Sequence, residues 1–161
     1  MIYILDTNII RTLLNYFPKK GKRYEEVWEK LDRKITAGEF ISVDECCREL
    51  ERQISSKTEQ YQWFHRHKDM FKNPNDEESV IIRKLFMNPK MRESIHQKNI
   101  LNNWPSADVY IAAKAKALDA TVVTSEHYKP HSAQLPNLCE ELGVSYISYD
   151  DFMAIIDDLQ E

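Results

Sequence analysis

The sequence has little glycine, proline or cysteine. Its 161 residues include 3 glycines, 6 prolines and 3 cysteines. With no biased stretch and no repeat of roughly 20–50 residues, it does not fit a linker-joined, disordered or solenoid architecture. Cys46, Cys47 and Cys139 form neither an even disulfide framework nor a Cys-x-x-Cys pair. A globular protein with reduced thiols, as in the cytoplasm, is therefore predicted.

Long apolar runs and an excess of basic charge are also missing. No run approaches the roughly 18 residues of a membrane span, and Asp6 interrupts the apolar opening where a signal peptide needs a longer stretch. We therefore expect a cytoplasmic protein without a membrane partner. The formal net charge is −4, so binding to nucleic acid would need a local basic patch.

Two short basic stretches are candidates for such a patch. Runs of this kind are more often solvated helix faces than binding surfaces, so both interpretations stay open. The first stretch contains Lys19, Lys20, Lys22 and Arg23, and the second contains Lys90, Arg92, His96 and Lys98.

Apolar strands alternate with amphipathic helices along the chain. Residues 2–5 are apolar without interruption, as in a strand buried on both faces of a parallel sheet. The alternation predicts an α/β fold, a three-layer α/β/α sandwich with a mostly parallel central sheet, as one domain over residues 1–161. Further strands are predicted at 40–43, 121–124 and 144–147, and helices at 8–17, 24–35, from Asp44, at 109–118, from Leu135 to Gly143, and from Asp150 or Asp151 to Leu159.

The segment at about 57–103 is the hardest to interpret. It is rich in charge and is broken at Asn73-Pro74-Asn75 and at Asn88-Pro89, with apolar helical stripes between the breaks. We predict several helices here. The segment is either a substrate- or partner-binding insertion or inert helical structure.

Acidic residues follow the predicted strands. Asp6 comes directly after the first strand, and Glu126 lies two residues beyond the strand at 121–124. Asp108 opens the helix before that strand, and Glu49 lies in the helix after the strand at 40–43. Ligands of open parallel sheets bind at the carboxyl ends of the strands. The four carboxylates are therefore expected to face one cleft.

Crowded carboxylates favour a metal ion. They repel one another unless a cation neutralises them, and Mg²⁺ or Mn²⁺ prefers oxygen ligands. Such ions activate a water molecule and stabilise a departing phosphate oxygen. Taken singly, each acid also has an ordinary structural explanation, as an N-cap, a first-turn acid or a surface charge. The joint spacing is what favours a metal site.

The same residues resemble the motifs of the PIN domain, and within it of the VapC-like toxins of bacterial toxin–antitoxin pairs. Ile4-Leu5-Asp6-Thr7-Asn8 is similar to that family's first motif, and Ser42 to Leu50, with Glu49, to its second. Ala107-Asp108 with Ile111-Ala112 resembles the third, and Val122 to Glu126, including Thr124, the fourth. The resemblance covers nearly the whole chain and is closest to a less-characterised PIN subfamily.

This resemblance implies a metal-dependent endoribonuclease and toxin. Asp6, Glu49, Asp108 and Glu126 would be the catalytic, metal-binding residues for Mg²⁺ or Mn²⁺, supported by Asn8 and Thr124. The partners would be an RNA substrate and an antitoxin that masks the cleft or inserts a basic side chain between the carboxylates, with a homodimer as an open alternative. Glu126 departs from the family pattern, which more often has Asp.

Several alternatives stay open beside this interpretation. Glu45 is the runner-up to Glu49, and His127 adjoins Glu126 where it could touch a phosphate. Asp150 and Asp151 are explained by helix capping. The competing functions are a non-toxin PIN nuclease of RNA processing, a phospho-receiver signalling module, and a catalytically inactive PIN scaffold.

Overall fold

Among the residues that the structure describes, five short strands form the central sheet. The structure is a computed structural model that describes residues 1–16, 22–101 and 106–159. The strands are β1 (Tyr3–Leu5), β2 (Phe40–Val43), β3 (Phe71–Lys72), β4 (Thr121–Val123) and β5 (Tyr146–Ile147). Their order across the sheet is β3-β2-β1-β4-β5. Every pairing is parallel, with Tyr3 opposite Phe40 on one side and Thr121 on the other.

The described helices cover the sheet, which confirms the predicted α/β class. They are α1 (Thr7–Tyr16), α2 (Lys22–Thr36), α3 (Asp44–Gln53), α4 (Glu59–Arg66), α5 (Asp76–Met87), α6 (Pro89–Leu101), α7 (Asp108–Leu118), α8 (Leu135–Leu142) and α9 (Tyr149–Asp158). The side chains of β2 are all buried, as expected for a strand covered on both faces.

Helix α7 lies at the centre of the helical packing and contacts both α5 and α8. Its middle is buried all round and rich in alanine, with Ile111, Ala112, Ala113 and Ala115 each 0% exposed. Small side chains let neighbouring helices approach closely. The first residue of this helix, Asp108, is consequently held in a fixed place relative to the sheet.

The segment at 57–101 forms the predicted helices and one strand that was not predicted. Helices α4, α5 and α6 are joined by a short 3₁₀ helix, Lys68–Met70, that leads into β3. Asn75 begins α5 with a reciprocal capping box with Glu78, an arrangement that satisfies two helix-terminal donors. With only two residues, β3 has no periodicity by which a sequence pattern could reveal it.

Most predicted boundaries agree with the structure to within two residues, and one cap does not. Helix α9 is capped by Ser148, whose Oγ accepts a hydrogen bond from the amide of Asp151. Asp150 and Asp151 lie in the first turn, where acidic side chains favour the helix dipole, so the prediction that they cap the helix was wrong. Gly143 ends α8 with a φ of 69°, a left-handed conformation that favours glycine.

Some predicted features lie outside the described residues. They are Phe17, Pro18, Lys19 and Lys20, the side chain of Arg23, and the helix opening at Trp104-Pro105. Among the described helices, none has the length and apolar character needed to cross a membrane.

Candidate metal centre

The direction of strand addition reverses at β1. Strands β2 and β3 extend the sheet on one side of β1, and β4 and β5 extend it on the other. In open parallel sheets, ligands bind outside the carboxyl ends of the strands at such a switch point. Asp6 follows β1 directly, and its amide donates to the carbonyl of Val123 at the end of β4. The predicted acids therefore lie at the point where the topology favours a binding site.

Three of the four predicted acids form a close cluster. Asp6, Asp108 and Glu126 each offer a carboxylate oxygen, and these oxygens all lie within 4.8 Å of one another. Asp6 and Asp108 are buried, whereas Glu126 is partly exposed. Glu49 is not in this group but faces the same depression of about 310 Å³. The residues that line this depression are Asp6, Thr7, Asn8, Glu49, Arg52, Gln53, Lys98, Ser106, Asp108 and Glu126.

The donor set of the cluster fits a hard divalent cation. Oxygens on opposite sides of an octahedral Mg²⁺ are about 4 Å apart, and Mg²⁺ and Mn²⁺ prefer oxygen ligands. Carboxylate oxygens within 4.8 Å of one another are close to the spacing of ligands that share one ion. The residues that could hold it are Asp6, Asp108 and Glu126, with Glu49 beside them.

Hydrogen bonds with neutral donors orient Asp6. Its Oδ1 accepts from the amide of Thr7 at 2.7 Å, and its Oδ2 accepts from the hydroxyl of Thr124 at 3.2 Å. Thr124 Oγ1 also accepts from the amide of Glu126 at 3.1 Å. Thr124 thus links the acid after β1 to the acid after β4.

Glu49 is held by residues next to the other acids. Its Oε2 accepts from the hydroxyl of Thr7 at 2.6 Å, and its Oε1 accepts from the amide of Ala107 at 3.2 Å. Thr7 adjoins Asp6 and Ala107 adjoins Asp108, so these bonds couple helix α3 to both. Asn8, predicted as a supporting residue, is exposed and lines the depression.

Lys98 extends from α6 into the carboxylate cluster. Its ammonium group contacts Asp108 Oδ2 and lies 3.3 Å from both carboxylate oxygens of Glu126. It also approaches the carbonyl oxygen of Ala133 at 3.4 Å and Oε1 of Gln134 at 3.3 Å. Its side chain is only 15% exposed. The chain's own lysine thus neutralises part of the acidic site.

Asp6 and Asp108 have raised pKa values. Burial raises the pKa of Asp6 well above its usual range, and the nearby Asp108 and Glu126 raise it further. Burial also raises the pKa of Asp108, to about 6, because Lys98 offsets only part of this effect. For Lys98, burial alone would lower the pKa, but attraction to Asp108 and Glu126 leaves it raised. Ionised carboxylates are therefore disfavoured here without further positive charge.

A family model described as a domain of unknown function, DUF4411, matches residues 3–157. The chain belongs to the DUF4411 family. No curated protein matches it.

Solved structures with the same fold as this DUF4411 protein include chains of two VapBC assemblies. One is VapBC-1 from nontypeable Haemophilus influenzae, at 17% identity and a TM-score of 0.50, with 93% of this chain and 99% of that chain covered. The other is VapBC2 from Rickettsia felis, bound to a DNA fragment from its promoter, at 19% identity and a TM-score of 0.51, with 92% and 98% covered. At this identity the likeness establishes the fold, which is the PIN-like α/β fold expected from the motifs.

The residues set aside in the DUF4411 sequence lie away from the cluster. Glu45 is half-buried, outside the residues that line the depression, and Asp44 pairs with Arg48 at 2.7 Å. His127 is exposed and also lies outside that lining. Of the two candidate acids in α3, Glu45 and Glu49, it is Glu49 that lines the depression with the other carboxylates.

The second basic stretch does not form one surface. Lys90, Arg92 and His96 are exposed, whereas Lys98 turns inward to the acids. Both interpretations of this stretch, a binding patch and a solvated helix face, were therefore wrong for Lys98. One signal could have identified it: Met91, Ile95 and Lys98 recur at intervals that place them on one face of a helix. Thr7 was missed as well, although it lies inside the first motif.

Proposed function

We propose that this DUF4411 protein is a metal-dependent endoribonuclease that hydrolyses RNA phosphodiester bonds. The observation that carries the proposal is the convergence of Asp6, Asp108 and Glu126, from three separate parts of the chain, at the switch point of the sheet. Acids with only a structural role are not expected to converge in this way. Burial and the neighbouring acids raise the pKa values of Asp6 and Asp108, so the ionised carboxylates are unfavourable here without a metal cation.

The roles of the residues follow from their contacts. Asp6, Asp108 and Glu126, with Glu49, would hold Mg²⁺ or Mn²⁺. The bound ion would lower the pKa of a water molecule and stabilise the departing oxygen. Thr7 and Thr124 would keep the carboxylates of Asp6 and Glu49 aimed at the ion through the hydrogen bonds described above.

Two arginines beside the acids are the proposed contacts for the RNA backbone. Arg52 lines the same depression as Asp6. Arg11 lines a second depression, and Gln53 lines both, so the two depressions adjoin. Arginine binds phosphate through paired N–H groups. A local arginine track would let a chain of net charge −4 bind RNA without a basic surface.

We further propose that the enzyme is the toxin of a toxin–antitoxin pair and acts in the cytoplasm. The support is the resemblance to VapC-like toxins in the motifs and the similarity in fold to chains of VapBC-1 and VapBC2. The partner would be an antitoxin protein that covers the carboxylate cluster. A homodimer remains a prediction.

Cleavage of purified RNA tests the nuclease directly. We expect the wild-type protein to cut RNA internally with Mg²⁺ or Mn²⁺ and to lose that activity in EDTA, with the new ends identified by sequencing. Asp6→Asn and Glu49→Gln should remove cleavage. Glu45→Gln is the matched control, because Glu45 lies one turn earlier on α3 and outside the lining of the site. Equal activity in wild type and Asp6→Asn would exclude the site.

Growth under induced expression tests the toxin role separately. Wild type should arrest bacterial growth, and Asp6→Asn, Asp108→Asn and Glu49→Gln should each restore it while Glu45→Gln does not. Normal growth at high expression, together with metal-dependent RNA cleavage by the purified protein, would leave the nuclease and remove the toxin. Absence of cleavage with all four acids intact would favour an inactive binding scaffold.

A further inference from the structure

The ammonium group of Lys98 is enclosed by oxygen atoms of the protein. The lysine lies on the inward face of α6, one turn beyond the buried Ile95. Five oxygen atoms from three parts of the chain surround its ammonium group: one from Asp108, two from Glu126, one from Ala133 and one from Gln134. Lysine has three N–H donors and no acceptor, so this shell can take every donor that it has.

The two neutral oxygens distinguish this shell from a simple ion pair. Ala133 contributes a main-chain carbonyl and Gln134 a side-chain amide, and both precede α8. Glu126 is fixed in turn by the amide of Leu135, which donates to its Oε2 at 2.7 Å. The position of the ammonium group is therefore defined in part by two oxygens that are not candidate metal ligands.

Lys98 contacts two of the three carboxylates of the cluster. Its carboxylate partners are Asp108 and Glu126. Asp6 and Glu49 instead accept hydrogen bonds from the amides and hydroxyls of Thr7, Thr124 and Ala107, which are neutral donors. Hydrogen bonds from neutral groups orient a carboxylate but do not cancel its charge. Within the cluster, the need for further positive charge is consequently greatest at Asp6.

We propose that Lys98 is a fixed cation of this site: its ammonium group holds Asp108 and Glu126 in the place of a second divalent ion, and a single divalent ion binds at Asp6, beside these two carboxylates. The inference rests on the metal-dependent function proposed above and specifies its metal content. Many enzymes that act on phosphodiesters place two ions about 4 Å apart, one of which stabilises the leaving oxygen. Here a tethered ammonium supplies the second positive charge, and Lys98 acts as a positioning residue for Asp108 and Glu126.

The number of bound ions tests this inference without reference to RNA. We expect calorimetric titration with Mn²⁺ to give one ion per chain for wild type and for Lys98→Arg, which keeps the charge. Lys98→Met, which removes it, should bind two. Lys90→Met is the matched control, because Lys90 is an exposed lysine on the same helix, and it should bind one. Two ions in wild type, or one ion in Lys98→Met, would overturn the proposal.

Chemical labelling of the wild-type protein gives a second test that does not depend on a variant folding. Acetic anhydride modifies accessible lysines, and mass spectrometry reports the extent at each one. Lys98 should be protected both with and without Mn²⁺, whereas Lys90 should react in both conditions. If Mn²⁺ makes Lys98 as reactive as Lys90, the lysine is displaced by the metal, and the proposal is wrong.

These tests separate the inference from the proposed function. One Mn²⁺ in wild type and two in Lys98→Met, with no RNA cleavage, would support the fixed cation and remove the nuclease. RNA cleavage with one ion in both proteins would retain the nuclease and remove the fixed cation. No Mn²⁺ binding by either protein would overturn both the inference and the metal dependence of the function.

Discussion

Two inward-facing lysines of this protein differ in the number of carboxylates around them. Lys114 of α7 pairs with Glu78 of α5 at 2.6 Å, and the two side chains are 7% and 2% exposed. Lys114 also donates to the carbonyl of Asn73 at 3.1 Å. There, one positive charge meets one negative charge inside the helical packing. Lys98 instead meets Asp108 and Glu126 together, with Asp6 close to both.

The difference between the two lysines is one of charge balance and access. The Lys114–Glu78 pair joins α5 to α7, and its charges cancel. The Lys98 group retains excess negative charge beside a depression of about 310 Å³. A buried, balanced pair serves the structure, and its loss leaves an uncompensated charge. Excess negative charge at an accessible site instead favours the function that we propose, because a cation from solution can bind there and neutralise the charge.

The largest expected effect separates the two sites by activity. Asp108→Asn should lower RNA cleavage about a thousandfold, because a metal ion contributes several kcal/mol of transition-state stabilisation and each 1.4 kcal/mol is tenfold in rate. Glu78→Gln should leave the rate per folded molecule unchanged, since Glu78 lies away from the depression. Initial rates, corrected for the folded fraction, provide the measurement. Equal losses in the two variants would abolish the distinction.

The second prediction separates the two sites by stability. Lys114→Met leaves Glu78 buried without its partner, which costs about 3–5 kcal/mol, or a fall in Tm of roughly 10 °C for a chain of this size. Addition of Mn²⁺ should not cancel that fall, because the pair is not part of the metal site. Thermal melting with and without Mn²⁺ measures both quantities. A Tm within a degree or two of wild type would show that the pair is not structural.

The third prediction concerns Asp6, where removing charge should not destabilise the protein. The pKa of Asp6 is raised well above its usual range by burial and by Asp108 and Glu126, so ionised Asp6 is unfavourable in the metal-free fold. Asp6→Asn should melt no lower than wild type without metal. Wild type should gain about 2.7 kcal/mol from Mn²⁺ at a hundredfold excess over Kd, and Asp6→Asn little of it. A large loss of metal-free stability would instead assign Asp6 to helix capping.

The smallest expected effect is in the pH dependence. The pKa of Asp108 is raised from 3.8 to about 6, so the folded state binds the proton more tightly than the unfolded state. The resulting stabilisation is present below pH 3.8 and is lost as the pH rises through about 6. Metal requires the ionised form, so stabilisation by Mn²⁺ should increase over the same range. Melting temperatures from about pH 4.5 to 7.5, without and with Mn²⁺, measure how the metal-free stability and the stabilisation by Mn²⁺ change with pH. Asp108→Asn should reduce both changes.

The contrast between the lysines also marks what the sequence could predict. The positions of Asp6, Glu49, Asp108 and Glu126 at one cleft were predictable because each follows a strand or lies in a helix whose pattern is clear. For Lys98, the spacing from Met91 and Ile95 could indicate an inward face, but it could not identify the carboxylates that Lys98 meets, because these lie elsewhere in the chain. Pairing between distant side chains depends on tertiary packing, which no local pattern encodes. The two-residue strand β3 was missed because it is too short for any period.

The hydrogen bond from the Leu135 amide to Glu126 makes the first residue of α8 sensitive to the charge at the candidate site. The Leu135 amide opens that helix and ends on a carboxylate oxygen of the cluster at 2.7 Å, not on a carbonyl. Any cation that draws charge from Glu126 weakens this acceptor, and the amide should then exchange its hydrogen with solvent faster. Exchange at this single backbone amide, followed by NMR of the isotopically labelled wild-type protein, would thus report whether a cation is bound at the neighbouring carboxylates.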